Sequence, residues 1–121
     1  MKYVLLIYHD ETTWNDQNEA EHQQIYDEYR SLIQRLQSSG KYLGGDQLQP
    51  RATASVIRVR DGKPLVTDGP FAETREQIGG FFLIDVSNID EAVSVAGQIP
   101  SARTGAIEIR PVVAAVRANG E

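Results

Sequence analysis

The chain has 121 residues, 40% of them hydrophobic and 24% charged, which suits one globular domain with its own core and excludes both a disordered chain and two independent domains. A formal net charge of −5 sets the surface against phosphate backbones and anionic lipid, so neither nucleic acid nor a membrane is an expected partner. The absence of cysteine removes disulfides, thiolate nucleophiles and cysteine metal sites together.

Lys2 to Tyr8 (KYVLLIY) is apolar at nearly every position and rich in β-formers, so it reads as a strand covered on both faces. The run stops at His9, Asp10 and Glu11, too short for a signal peptide, and no stretch reaches the roughly 20 apolar residues of a membrane span. A cytoplasmic protein is expected. Asp10 to Asp16 reads as a polar turn. Asn18 with Glu21 three positions on forms a capping box for a helix over Glu19 to Ser39. Ile25, Tyr29, Leu32, Ile33 and Leu36 give that helix one apolar stripe, and Gly40 stands where a left-handed cap is wanted.

Leu43-Gly44-Gly45 reads as a turn. Thr53 to Arg60 alternates as a strand, and Asp61-Gly62 turns it into a return over Leu65 to Thr67, confined to a sheet edge by Pro64. Gly79-Gly80 opens a second doubly covered strand, Phe81 to Val86. Asn88 and Glu91 start a short helix with Ile89, Ala92, Val93 and Ala96 inward, ended by Pro100. Ala106 to Val113 is the last strand, and residues 114 to 121 read as a frayed tail.

The order describes an α+β, ferredoxin-like βαββαβ fold, an antiparallel sheet with a hairpin extension. Right-handed crossovers place both helices on one face of the sheet, which leaves the other bare. Two strands apolar on both faces then demand a cover, which a second copy packed face to face supplies in a homodimer, the alternative being a long loop such as Gln47 to Thr53 over part of the patch.

Between the hairpin and the third sheet strand, Asp68-Gly69-Pro70 makes a sharp turn. A short helical turn is expected to follow, with Phe71 as an anchor into the core. The block Asp68 to Phe82, with Met1-Lys2-Tyr3, Leu43-Gly44-Gly45 and Glu108-Ile109-Arg110-Pro111, resembles the YCII-related family, specifically the branch named for its Asp-Gly-Pro-Phe motif. The resemblance covers residues 1 to 113 as one domain and implies the dimeric α/β barrel, two ferredoxin-like sheets paired face to face. It also implies a link to alternative sigma factors, beside or fused to which some members are encoded. It brings no reaction with it.

Asp68, Glu73, Arg75 and Glu76 are candidates for an acid/base or anion-holding cluster at the mouth of the dimer cleft, with Asp68 as proton carrier, against the simpler reading of a turn cap and solvated ion pairs. Arg110 and Glu108 alternate with Ile107 and Ile109, so they face the cleft if the isoleucines face the helices; Arg110 then orients a carboxylate ligand or pairs with Glu108 or with an acid such as Asp68. Tyr8 directs its hydroxyl into the same cleft. His9 and His22 match no metal motif, Trp14 is read as a cap on the core, and no phosphate loop, dinucleotide fingerprint or nucleophile elbow is present. No metal or cofactor is therefore expected. The leading expectation is a small molecule held in a dimer-interface cleft, with metal-free acid/base catalysis of isomerase, lyase or hydrolase type if there is turnover. The alternative is a non-enzymatic ligand-binding or regulatory module associated with an alternative sigma factor.

Overall fold

A computed structural model describes residues 1–114. The residues expected to form the C-terminal tail lie, apart from Ala114, outside that range. Strands β1 (Lys2–Asp10), β2 (Tyr42–Gln47), β3 (Ser55–Arg60), β4 (Lys63–Asp68), β5 (Glu76–Asp85) and β6 (Ala106–Pro111) combine with helices α1 (Glu11–Asn15), α2 (Glu19–Ser38) and α3 (Ile89–Gln98). Four strands form one antiparallel sheet in the order β2-β5-β1-β6, and β3 and β4 form a separate hairpin. This is the ferredoxin-like strand order, with the hairpin inserted between the second and third sheet strands.

The residues on one sheet face make the core. Tyr3, Leu5 and Ile7 of β1 and Phe82 and Ile84 of β5 are buried against Leu32 and Leu36 of α2 and Ala92, Val95 and Ala96 of α3. Period-2 alternation sends Val4, Leu6 and Tyr8, with Phe81 and Leu83, to the opposite face, where all five are only half-buried. Among the described residues no helix covers that side, as the crossover rule demands. Among the described residues, no helix is long and apolar enough to cross a membrane.

The capping box at the start of α2 is formed as read, with Asn18 Oδ1 accepting from the Glu21 amide at 2.8 Å and Glu21 Oε1 accepting from the Asn18 amide at 3.1 Å. Gly40 takes a positive φ of 73° just past the helix.

Four local readings are corrected. The second sheet strand is β2, not Thr53–Arg60, so Leu43-Gly44-Gly45 lies in or beside a ladder and is not a turn. The signal was hidden because the strand is made of Tyr-Leu-Gly-Gly-Asp-Gln, with little β propensity. Gly45 answers to packing instead: a Cβ there would lie 2.8 Å from the Tyr42 hydroxyl and against the Phe81 carbonyl oxygen, whereas one on Gly44 would meet nothing. Asp10–Asp16, read as a turn, contains α1, which Asp10 caps by accepting from the Thr12 amide at 2.9 Å. In α3 the inward positions are Ala92, Val95 and Ala96, whereas Ile89 and Val93 are exposed. After Pro70 the chain bends without a helical turn, and Phe71 is 77% exposed, its ring under the Arg58 guanidinium at 5.3 Å and not in the core. The loop is held from its far side by buried Gln77, whose amide nitrogen donates to the carbonyls of Ala72 and Thr74 and to the Thr74 hydroxyl.

Candidate functional site

Of the residues singled out from sequence, Tyr8, Glu108 and Arg110 lie on the open side of the four-stranded sheet, and Asp68 ends a strand of the separate hairpin. Glu108 and Arg110 do face away from the helices, opposite in parity to Ile107 and Ile109, which pack on the core. The Tyr8 hydroxyl donates to Glu108 Oε1 at 2.9 Å, and Arg110 Nη1 stands 3.6 Å from Glu108 Oε2. The Glu108 carboxylate, first by that hydrogen bond, pushes the Tyr8 phenol above its ordinary value. Tyr8, Arg75 and Glu76 share the wall of a wide, open groove with Asp10 and Thr13. Arg75 reaches Asp10 at only 3.8 Å and is almost fully solvated, so this ion pair contributes little. Arg110 lies outside the groove. Asp68 ends β4 exposed to solvent and lines neither this groove nor the cavity described next.

A partly open cavity lies on the other face of the sheet, between α2 and the Gly79-Gly80 end of β5. Its volume is about 230 Å³. Ile25, Tyr29 and Ile33, three consecutive steps of the apolar stripe of α2, form its roof, and Ile7 and Phe82 its base. Phe82 is held edge-on by Tyr29, centroids 6.2 Å apart, and by Tyr42, 5.3 Å apart. Trp14 of α1 stands at the mouth, stacked on His22 at 3.7 Å and edge-on to Tyr26 at 5.6 Å. His22 Nε2 also meets the Trp14 carbonyl at 2.8 Å, which fixes this corner.

Glycines open the room. Gly79 is the residue skipped at the bulge where β1 and β5 shift register between Ile7 and Tyr8, and a Cβ there would lie 2.5 Å from His9 Nε2. The imidazole of His9 therefore lies flat on bare backbone at the edge of the cavity. A Cβ on Gly80 would lie 2.8 Å from the Asp46 carbonyl of β2, so the two strands approach there only as glycine allows.

The polar groups of the cavity are sparse and differ in what they have already bonded. Tyr29 and Ser101 share a hydrogen bond of 2.7 Å, and Gln47 Nε2 donates to the Tyr26 hydroxyl at 3.3 Å. Among the described residues, the Tyr42 hydroxyl, the His9 ring and the Asp46 carboxylate have no hydrogen-bond partner, and no lysine or arginine lines the cavity.

Burial pushes the Tyr29 phenol above the ordinary value of about 10, partly offset by its bond to Ser101. Because the folded-state value is the higher one, the stability Tyr29 contributes is intact below pH 10 and is lost as pH rises through the folded value. Tyr29→Phe should therefore make unfolding free energy, read by urea titration between pH 9 and pH 11.5, fall less steeply than in wild type; an unchanged slope would contradict the placement.

Of the residues picked out by sequence, then, Tyr8, Glu76 and Arg75 come together in an open groove, Arg110 joins them only through Glu108, and Asp68 stands apart. What sequence reading missed is the aromatic cavity. Its residues were visible as stripe positions of a helix, which is also how an ordinary core reads, and the one distinguishing signal was glycine inside strands at positions 45, 79 and 80.

Fold and cavity together define a small ferredoxin-like α+β domain whose described residues leave one sheet face uncovered and form an aromatic pocket under the long helix. The chain belongs to the YCII-related domain family, whose sequence model matches residues 1–115. It is similar to an uncharacterized protein of Rhizobium meliloti (strain 1021), 34% identical over 114 residues that cover 93% of this chain and 92% of that one.

Proposed function

We propose that the protein is a small-molecule-binding homodimer, each subunit holding its ligand in the cavity under α2. The observation that carries the reading is the cavity itself: mainly apolar and aromatic walls, a few convergent polar groups, and glycines that keep it open. The dimer reading rests on the half-buried apolar residues of the open sheet face, and the Asp68–Phe71 motif supports placing the chain in the branch of its family named for that sequence. A cleft between subunits at Tyr8, Arg75, Glu76 and Arg110 is less favoured as the ligand site because those groups are solvated. Turnover is not part of the proposal: Asp68 stands in solvent, far from the desolvated position a proton carrier needs.

A second reading, a regulatory module that docks another protein such as a sigma factor, draws on the exposed apolar side chains of the hairpin, Ile57, Val59, Leu65 and Val66.

Ile33→Trp projects an indole from α2 into the cavity and provides the test. Saturation-transfer NMR with a mixed library of aromatic and aliphatic fragments should give hits on wild type that vanish in the folded variant. Hits that survive the indole would overturn this location.

A further inference from the structure

Resting on the reading of the cavity as a ligand site, we infer that its ligand is a neutral phenol-type molecule: a single aromatic ring, or a compact fused pair, bearing a hydroxyl group. Size comes first. A cavity of about 150 Å³ holds benzene, so the 230 Å³ here takes about nine non-hydrogen atoms. Shape follows from the walls. Phe82 has Tyr29 and Tyr42 set edge-on to it at 74° and 86°, which makes a slot that a further flat ring fills with the same edge-to-face contacts.

Charge is decided by what the slot lacks. Among the described residues no lysine or arginine is on the lining while the Asp46 carboxylate is, so a carboxylate or phosphate would give up its hydration for the neutral donors of Tyr42 and His9, against a like charge. A neutral group avoids that penalty.

The hydroxyl is specified by the two uncommitted groups that can donate, Tyr42 and His9, beside the Asp46 carboxylate, which also lines the cavity and can only accept. Desolvation pushes the Tyr42 phenol above its ordinary value, so near neutral pH it keeps its proton and both donates and accepts. The His9 ring, laid on Gly79, offers one nitrogen of each kind when neutral. A ligand hydroxyl, itself donor and acceptor, satisfies both. An ether or ketone would satisfy only donors, and a bare hydrocarbon ring would leave both without partners.

The test compares p-cresol, toluene and benzoate at pH 8, with dissociation constants taken from NMR titrations of wild type, Tyr42→Phe and His9→Gln. On wild type, p-cresol should bind about tenfold more tightly than toluene, the worth of one or two net hydrogen bonds, and at least tenfold more tightly than benzoate. Tyr42→Phe should bring p-cresol to within a few-fold of toluene and leave toluene unchanged. His9→Gln keeps the test alive if Tyr42→Phe does not fold, since it should weaken p-cresol and spare toluene. Benzoate binding as well as p-cresol would overturn the neutral assignment, and toluene binding as well as p-cresol would overturn the hydroxyl. If none of the three binds while other fragments occupy the cavity, the ligand class is wrong and the site stands. If no fragment of any kind enters the cavity, the site reading itself falls.

Discussion

Phe81→Asp/Leu83→Asp should remain folded and sediment as a 13.4 kDa monomer, whereas the wild-type chain should sediment at twice that mass. Strand parity is the reason. Residues 81 and 83 point to the uncovered face, and residues 82 and 84 to the helices; Phe82 and Ile84 are 4% and 0% exposed. The helix-side core is therefore untouched by the pair of substitutions, and far-ultraviolet circular dichroism should not change. In a face-to-face dimer, however, symmetry would bury four new carboxylates in a largely apolar seam whose Arg110 is already paired with Glu108. Each uncompensated buried charge costs several kcal/mol, so dimer affinity should fall by at least about a thousandfold. Unchanged mass in the double variant would contradict assembly through this face.

Leu5→Ala should bring the largest loss of stability of any single truncation. Leu5 is fully buried at the middle of the central strand β1, paired with Phe82 on β5 and Ile109 on β6. With strands on both sides and helices above, the site has little freedom to collapse, and a Leu→Ala change in such a setting costs about 3–5 kcal/mol. For a chain of this length that lowers the melting temperature by roughly 10–20 °C, measured by calorimetry. Leu65→Ala, half-exposed on the β3–β4 hairpin, should move it by no more than about 3 °C.

Both of these strands were legible in the sequence. Lys2–Tyr8 and Phe81–Val86 could be read as central strands because each is apolar on both sides of the pleat, and the Asn18–Glu21 pair marked the start of α2 to the residue. The hairpin turn at Asp61-Gly62 was equally plain, with both residues at positive φ. β2 was not legible because its residues are chosen to let β5 approach and to open a cavity, which leaves Gly-Gly where a strand normally shows branched side chains. Phe71 misled for the opposite reason: a large aromatic residue beside a turn looks like an anchor, yet here it lies on the surface under Arg58.

The candidate site was missed more thoroughly than the fold. Charged residues at positions 68, 73, 75 and 76 drew attention because chemistry is usually sought in charge, while the cavity is built from Tyr26, Tyr29, Tyr42 and Phe82, types that read as core. Only three-dimensional pairing brings Tyr42 of one strand, His9 of another and Tyr29 of the helix to the same volume. Their separation in the chain carries no periodic signal.

In the proposed function the two faces of one sheet have different occupants, a second subunit on one and a small molecule on the other. Amide NMR of the nitrogen-15-labelled protein during titration with fragments tests this most directly. The expected shifts cluster at Gly45, Gly79 and Gly80 and at the Trp14 indole, with the Tyr8, Glu108 and Arg110 amides unmoved. Shifts centred instead on Tyr8, Glu108 and Arg110 would put the ligand in the cleft between subunits and contradict the cavity as its site.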